Sequence, residues 1–291
     1  MYRKGRCDMR KIAIITDTAS DLSLSEIEQY NIKMLHYQIV YNEHTYKDQL
    51  EIHSKQVLAH LEKEIPSTSL PSLEEMHQVF TEIQQEGYEA AIVIPLSSGL
   101  SGCFNAVNMI KDEFPNLKTV VFDSRTISAP EGYLAKRAAD LADEGYSVEE
   151  IIKKLEDIRN KQHTFFIVDT LKYLLHGGRI GHVSAAVGKL LNLKPVITIG
   201  DDGKYETIAK VRGRAKAIRY IAEEAHKVLS TGKSYKIYFS HADGVEIKDE
   251  IIKEIQALYP DVQIEGDTWI SPVACVHCGP GYVGMLIQEV E

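Results

Sequence analysis

The sequence predicts an α/β protein built from two domains, each with a mostly parallel or mixed sheet. Short β-rich runs alternate with amphipathic stretches along most of the chain, which is the pattern of strand–helix units around such sheets. The chain also has 291 residues, near the size at which one hydrophobic core usually splits into two. We place the boundary in the polar stretch 160–163, so that residues 9–163 and 164–291 form the two domains and residues 1–8 are an appendage.

In the first half, short apolar runs predict strands at residues 11–16, 32–40, 90–95 and 119–122. Ser72 and Glu75 form a capping-box pattern, which predicts the start of a helix. Ser147 and Glu150 repeat this pattern before a second helix that ends near Asn160. The apolar face of the first helix is predicted to consist of Leu73, Met76, Val79, Phe80 and Ile83.

The second half repeats the alternation of strands and helices. Its helices are predicted at residues 213–229 and 245–258 from their apolar periodicity. Its strands are predicted at residues 164–168, 195–199, 205–211, 236–240, 262–268 and 283–290.

The composition is that of an ordinary globular protein, with 44% hydrophobic and 26% charged residues. A net charge of −9 disfavours nucleic acid as a partner, since such partners attract basic surfaces. Four cysteines without a disulfide framework suit a reducing compartment, and no stretch resembles a signal peptide or approaches the ~20 apolar residues needed to cross a bilayer. We therefore expect a cytoplasmic protein that contacts the membrane surface transiently at most.

Residues 92–102 combine a strand end, a run of serines and glycines, and a helix start. Hydroxyl and N–H donors then surround one point at the positive end of a helix dipole, which suits an anion. The motifs of P-loops and dinucleotide sites are absent from the sequence. A singly charged carboxylate fits best because the loop has neutral donors and no lysine or arginine. The simpler alternative is that Ser101 only caps its helix.

Two further segments have residues suited to a polar head group. Residues 66–72 form a hydroxyl cluster stiffened by two prolines, which could equally be a loop and a helix cap. His277 lies in a predicted Gly-Pro-Gly turn, where a neutral imidazole could donate to a carboxylate or simply be a loop histidine. Cys275 and Cys278 form a single Cys-x-x-Cys pair, too weak a signal for zinc, and we predict no metal.

Residues 176–181 and 210–214 are the compact basic stretches of the second half and contain Arg179 and Arg212. Such arginines are most often surface charges or helix caps. The alternative is contact with a partner or a phosphate group.

Taken in order, these segments resemble the DegV family of bacterial fatty-acid-binding proteins, which includes the carrier subunit of fatty acid kinase. The resemblance runs from about residue 11 to the end of the chain. One motif alone would be weak, but six in the same order are specific. The matching segments are Thr-Asp-Thr-Ala-Ser-Asp at 16–21, Thr-Ser-Leu-Pro-Ser at 68–72, Ser-Ser-Gly-Leu-Ser-Gly at 97–102, Asp-Ser at 123–124, Gly-Gly-Arg-Ile at 177–180 and His-Cys-Gly-Pro-Gly at 277–281.

The resemblance implies a long-chain fatty acid in a tunnel between two α/β domains. It implies a carboxylate held by Thr68, Ser101 and His277, and we add Ser69, Ser98 and Gly102 from the same loops to the predicted site. It also implies a carrier, not an enzyme, that has no cofactor and presents the acid to the catalytic subunit of a fatty acid kinase.

An arginine of the family takes part in this presentation. Arg212 is its match here, and Arg179 is a second candidate for the kinase contact. The sequence also departs from the family pattern, since Leu70 replaces a common Gln and Tyr282 is bulkier than the usual small residue. These departures leave the predicted head-group site intact and leave the preferred chain length open.

Two alternative functions belong to other classes. A serine hydrolase would use Ser101, Asp123 and His277, which follow the chain order of α/β-hydrolases, although Cys103 stands where the nucleophile elbow needs glycine. A sugar- or nucleotide-phosphate-binding protein would use Arg179 and Arg212, and added salt would weaken its binding.

Overall fold

The computed structural model describes residues 11–186 and 193–290 of the chain. Within these residues the strands form three sheets, of four, six and three strands. The predicted appendage at residues 1–8 lies outside the described residues. The α/β class predicted from the sequence is confirmed.

The first sheet is parallel and has the strand order β2-β1-β6-β7. Three of its strands lie within one residue of their predicted positions at each end. The strands are β1 (Ile12–Asp17), β2 (Ile32–Leu35), β6 (Ala90–Ile94) and β7 (Lys118–Val121).

Helices of the first half pack against this sheet. Buried residues of α5 and α6 form one hydrophobic cluster with the sheet, and buried residues of α3 and α4 belong to a second cluster. The helices are α1 (Leu24–Tyr30), α2 (Ser54–His60), α3 (Leu73–Gln85), α4 (Cys103–Lys111), α5 (Ala129–Asp143) and α6 (Val148–Asn160).

The predicted single strand at residues 32–40 is wrong, because the chain leaves the first sheet after Leu35. The His36 N–H donates to Glu75 Oε1 (3.0 Å) and the Tyr37 N–H donates to Thr18 Oγ1 (3.2 Å), so side chains take the place of a strand partner. After this break, β3 (Gln38–Val40) pairs with β4 (Thr45–Lys47) and β5 (Ser67–Ser69) in a separate small sheet.

The two predicted capping boxes differ in the structure. Ser147 and Glu150 form the reciprocal pair of hydrogen bonds. Ser72 accepts from the Glu75 N–H at 3.1 Å, but the Glu75 carboxylate bonds to His36 instead of returning to Ser72. Leu73, predicted on the apolar face of α3, is 61% exposed, whereas Met76, Val79, Phe80 and Ile83 are buried as predicted.

The second half forms the large mixed sheet, with strand order β10-β9-β8-β13-β11-β12. Its strands agree with the predicted positions within about two residues. They are β8 (Gln162–Ile167), β9 (Leu193–Ile199), β10 (Tyr205–Arg212), β11 (Ser234–Ala242), β12 (Gln263–Trp269) and β13 (Tyr282–Val290). Helices α8 (Arg214–Leu229) and α9 (Val245–Gln256) pack on one face and form a hydrophobic cluster with it.

Helices α7 (Lys172–His176) and α10 (Pro272–Cys278) complete the second half. Helix α10 contacts α2, β3, β5 and the 3₁₀ helix Thr18–Ser20 of the first half. One buried hydrophobic cluster therefore includes residues of both halves. The strands of the four-stranded and three-stranded sheets come before α6, and the six-stranded sheet begins with β8 after it. The division into domains 9–163 and 164–291 stays a proposal, because the shared hydrophobic cluster contains residues from both sides of this boundary.

Candidate functional site

A cavity of about 290 Å³ lies where α10, Arg179 and Tyr205 of the second half meet β5 and the loops of the first half. Its volume is at the lower end of the roughly 300–1,000 Å³ typical of ligand sites. Ser69 and Gly102 are exposed at its mouth, whereas Ala19, Ala274 and Cys278 are buried at its inner end. The cavity therefore has a polar opening and an apolar interior.

Thr68 and His277 meet at this opening, although 209 residues separate them in the chain. Thr68 lies in β5 of the small sheet, and its Oγ1 is 3.0 Å from His277 Nε2. His277 itself lies in the last turn of α10, and the predicted Gly-Pro-Gly turn follows the helix at residues 279–281. Pro272 at the start of this helix and Gly279 just after it, with φ 72°, explain where it begins and ends.

His277 is electrically neutral in this setting. Burial lowers its pKa to about 3, and the positive charges of Arg179 and His176 act in the same direction. Its Nδ1 atom is buried and has no hydrogen-bond partner among the described residues. We therefore assign the single proton to Nε2, since a buried N–H without an acceptor is costly. In this tautomer Nε2 donates to Thr68 Oγ1, and the hydroxyl hydrogen of Thr68 is left for a ligand.

Gly177 explains how His277 fits against α7. A Cβ atom built on Gly177 would overlap with His277 Nδ1, so any side chain there would displace the imidazole. The Gly-Gly pair at 177–178 is the sequence signal for this close approach, but its partner could not be read from the sequence.

Ser101 has both a capping contact and a cavity contact. Its Oγ accepts from the Cys103 N–H at 3.2 Å, although Gly102 and not Ser101 is the N-cap residue of α4, and it also lies 2.6 Å from the Tyr37 hydroxyl. Tyr37 is buried beside Asp17, and both burial and this carboxyl raise its pKa, so the phenol remains a donor. If Tyr37 donates to Ser101, the Ser101 hydroxyl hydrogen is left for a ligand, as for Thr68.

Arg179 lines the cavity, although the sequence assigned it to a partner contact. Its Nε donates to the Leu100 carbonyl (3.4 Å) and its Nη1 donates to the Gly177 carbonyl (2.6 Å). Both acceptors are uncharged. The cavity lining therefore includes one guanidinium group in addition to the neutral donors expected from the sequence.

The structure does not bring every predicted site residue together. Thr68, Ser69, Ser101, Gly102 and His277 line the cavity. Ser98 is exposed and faces away: its Oγ donates to Asp123 Oδ2 at 2.6 Å and its N–H donates to Asp123 Oδ1 at 3.0 Å. Arg212 is exposed at the end of β10, outside the cavity lining.

The alternative hydrolase triad is not assembled. Asp123 accepts from Ser98 and from the Arg125 N–H, not from His277. Ser101 contacts Tyr37, and His277 contacts Thr68. In the described part of the chain, no group of three or more His, Cys, Asp and Glu side chains is placed to hold a metal ion. Nor does any described helix have the length and apolar character needed to cross a membrane.

Four carboxyl groups are buried beneath the cavity, a feature that sequence analysis missed. Burial raises the pKa of Asp17 to about 6, of Asp21 to about 7 and of Asp48 to about 8, and it raises the pKa of Glu131 well above its usual value. Asp17 and Asp21 belong to the motif at residues 16–21, so the signal was present, but burial of such residues cannot be read from one sequence.

Two of these carboxyls hold the beginning of α10. The Ser271 N–H donates to Asp21 Oδ1 at 2.6 Å, and the Val273 N–H donates to Asp48 Oδ2 at 3.4 Å. Ser54 donates to the Ile270 carbonyl at 2.6 Å just before the helix. The first half of the chain therefore fixes the helix that carries His277.

The chain is an α/β protein with a cavity whose lining combines polar side chains from both halves with buried apolar residues. The chain belongs to the DegV family, described as an uncharacterised protein family, whose profile matches residues 11–290. The resemblance predicted from the sequence motifs is confirmed.

Individual relatives are similar to this chain over nearly its whole length. A DegV domain-containing protein of Clostridium acetobutylicum is 40% identical over 281 residues, which cover 97% of this chain and 100% of that protein. The structure of DegV, a fatty acid binding protein from Bacillus subtilis, is similar with a TM-score of 0.87 and 32% identity, covering 96% of this chain and 99% of that one. A fatty-acid-binding DegV family protein from Thermus thermophilus has a TM-score of 0.88 and 27% identity, with 96% and 100% covered.

Proposed function

We propose that this chain binds a long-chain fatty acid, with the carboxylate at Thr68, Ser101 and His277 and the acyl chain inside the cavity. One observation carries the proposal: three polar side chains from distant parts of the sequence meet at the opening of an apolar cavity. The similarity to fatty-acid-binding structures from Bacillus subtilis and Thermus thermophilus supports the same ligand class.

The two ends of the ligand have different roles. Burying an acyl chain contributes ~0.8 kcal/mol per methylene, so ~14 methylenes supply roughly 11 kcal/mol before the entropy cost of binding. The hydroxyls of Thr68 and Ser101 and the charge of Arg179 prevent an unpaired carboxylate, whose burial would cost several kcal/mol. The chain supplies affinity, and the polar opening sets the orientation.

Removing both hydroxyls tests this assignment. Hydrogen bonds to a charged group are worth about 1.5–3 kcal/mol each, so Thr68→Ala combined with Ser101→Ala should weaken fatty acid binding at least about 100-fold. The measurement is mass spectrometry of an organic extract of the purified protein, followed by titration of the delipidated protein with palmitic acid.

Ser98→Ala is the matched control, because Ser98 belongs to the same loop but faces Asp123. It should keep the wild-type affinity. Wild-type affinity in the double variant would remove the head-group assignment, and absence of saturable binding in the wild type would overturn the function itself.

We further propose that the protein is a cytoplasmic carrier that presents its fatty acid to the catalytic subunit of a fatty acid kinase. The family resemblance supports this role, and so does the position of the polar opening beside exposed Ser69 and Gly102, where the carboxylate would face outward. The three described cysteines are buried free thiols, which fits a reducing compartment.

A further inference from the structure

Two side chains form a wall that separates the main cavity from a neighbouring space. Tyr205 and Ile127 line the main cavity, and both also line a second, very small cavity of about 10 Å³. These two side chains therefore form the partition between the two spaces. Beyond the partition, Phe166, Tyr282 and Met285 contribute to the lining of the small cavity.

Tyr205 is supported by two other aromatic rings. The Phe166 ring lies 4.9 Å from the Tyr205 ring, measured between centroids, with an interplanar angle of 67°. The Phe166 ring also lies 5.6 Å from the Tyr282 ring, with an interplanar angle of 42°. Both separations are in the range of favourable aromatic pairs. The three rings come from β10, β8 and β13 of the large sheet, so the wall is built on rigid strands.

The backbone around Tyr205 is fixed as well. Ser97 Oγ donates to the Gly203 carbonyl at 2.7 Å, which ties the turn before β10 to the first half. On the other side, Gly181 approaches so closely that a Cβ atom there would lie 2.8 Å from the Tyr205 carbonyl oxygen. Tyr205 therefore has little freedom to move out of the way of a ligand.

An acyl chain that fills the apolar part of this cavity reaches the wall, because the buried residues Ala19 and Cys278 line the same cavity as Tyr205. Its carboxylate contacts lie near exposed Ser69 and Gly102. Methylenes that reach Tyr205 have only the 10 Å³ space ahead of them. Forcing more atoms into a packed core is unfavourable.

We propose that Tyr205 and Ile127, supported by Phe166 and Tyr282, set the upper limit of acyl-chain length, an inference that rests on the proposed fatty acid binding. Removing either wall side chain joins the two cavities. The ligand class of the wild type is then straight-chain saturated acids up to a defined length, and the variants accept longer ones.

The experiment compares wild type, Tyr205→Ala and Ile127→Ala, each delipidated and titrated with saturated acids from decanoic to eicosanoic. In the wild type, affinity should rise about fourfold per added methylene up to a limit, and then stop rising or fall. In both variants the limit should move to acids at least two methylenes longer. The affinity of each variant for such a longer acid, divided by its affinity for the acid that the wild type binds best, should exceed the same ratio in the wild type by more than about tenfold.

Two further variants test whether the aromatic ring of Tyr205 sets the chain-length limit. Tyr205→Phe keeps the ring and should keep the wild-type limit, since the proposal assigns the limit to the ring. Tyr238→Ala removes a tyrosine from the same sheet, where its ring pairs with Tyr133 at 5.7 Å outside the cavity, and serves as the control for loss of an aromatic residue.

The outcomes distinguish an error about the wall from an error about fatty acid binding itself. An unchanged limit in Tyr205→Ala and Ile127→Ala, with normal binding by the wild type, overturns the wall and leaves fatty acid binding intact. No saturable binding of any acid by the wild type overturns the proposed function. If Tyr205→Ala fails to fold, Ile127→Ala still decides, because Ile127 is only half-buried and its loss is less disruptive.

Discussion

At the opening of the cavity, the oxygen atoms of Thr68 and Ser101 are already engaged by protein atoms. Thr68 Oγ1 contacts His277, and Ser101 Oγ contacts Tyr37 and accepts from the Cys103 N–H. When His277 Nε2 donates to Thr68 and the Tyr37 hydroxyl donates to Ser101, neither hydroxyl hydrogen is used by these partners. The pair is therefore suited to donate to a carboxylate without rearrangement, which lowers the entropic cost of binding.

Gly177→Ala is expected to weaken fatty acid binding through His277. The added Cβ would displace the imidazole, break its contact with Thr68 and destabilise the fold by about 1–3 kcal/mol through overpacking. Titration with palmitic acid measures the loss, and combining the change with His277→Ala should add no further loss of affinity.

Gly178→Ala is the matched control for this change. A Cβ at Gly178 meets no atom within 4 Å, although its φ of 70° adds some backbone strain. It should reduce stability modestly and keep the affinity. Equal losses of affinity in the two variants would contradict the contact between Gly177 and His277.

Sequence reasoning found some residues of the site and missed others for physical reasons. Thr68, Ser101 and His277 stand in recognisable motifs, so their meeting could be predicted from the family resemblance. Arg179 stands in the Gly-Gly-Arg-Ile motif but was assigned to a partner contact, and no local pattern marks Tyr37 as a cavity residue. Ser98 has the same residue type and nearly the same position as Ser101, but the turn directs it to Asp123.

At the scale of elements, the strand predicted at 32–40 breaks because Glu75 and Thr18 take the place of a strand partner after Leu35. Local apolar patterns cannot show these partners. The helical position of His277 was missed for another reason, since Pro272 and Gly279, which mark the ends of α10, were not interpreted as helix signals. The helices and strands whose pattern is long and regular, such as α6 and α8, were predicted well because local packing decides them.

Asp48→Asn is expected to change how stability depends on pH. Asp48 has a folded-state pKa of about 8 against an ordinary value of 3.8. Between these values the folded state holds a proton that the unfolded state has released, so the free energy of unfolding falls as pH rises from about 4 to about 8. Asparagine mimics the protonated acid, so the variant should match the wild type near pH 4 and exceed it near pH 8 by on the order of a few kcal/mol.

Urea unfolding of both proteins across this pH range measures the difference. Asp17 and Asp21 titrate in the same range but are present in both proteins, so the difference between the curves reports mainly Asp48 and its coupling to them. Parallel curves with a constant offset would show that Asp48 is not protonated in the folded state at neutral pH.

At the scale of the whole molecule, the site belongs to neither half alone. Thr68 and Ser101 come from the first half, and His277 and Arg179 come from the second. Helix α10 connects them, since Asp21 and Asp48 of the first half hold its beginning. The position of the polar opening at the surface leaves the acid end of a bound ligand within reach of a second protein.

Arg212→Ala is expected to impair transfer to a kinase without affecting ligand binding. Arg212 is exposed on the edge strand β10, outside the cavity lining, so its loss should leave fatty acid affinity within about twofold. Formation of acyl phosphate with the kinase catalytic subunit and ATP should fall by at least about tenfold if a charged contact is lost.

Arg137→Ala is the control for this prediction, since Arg137 lies in α5 and pairs with Asp140 of the same helix. It should leave acyl phosphate formation unchanged. Equal rates for wild type and Arg212→Ala would assign the kinase contact to another part of the surface.

The small sheet that contains Thr68 is joined to the rest of the molecule in an unusual way. Strand β5 is an edge strand that pairs with β3, and β3 begins only after the chain has left the four-stranded sheet. Its backbone thus contributes no hydrogen bond to that sheet. Residues 38–69 are instead joined to the rest of the molecule through contacts such as those of Asp48 and Ser54 with the start of α10, so the position of Thr68 depends on a helix from the other half of the chain.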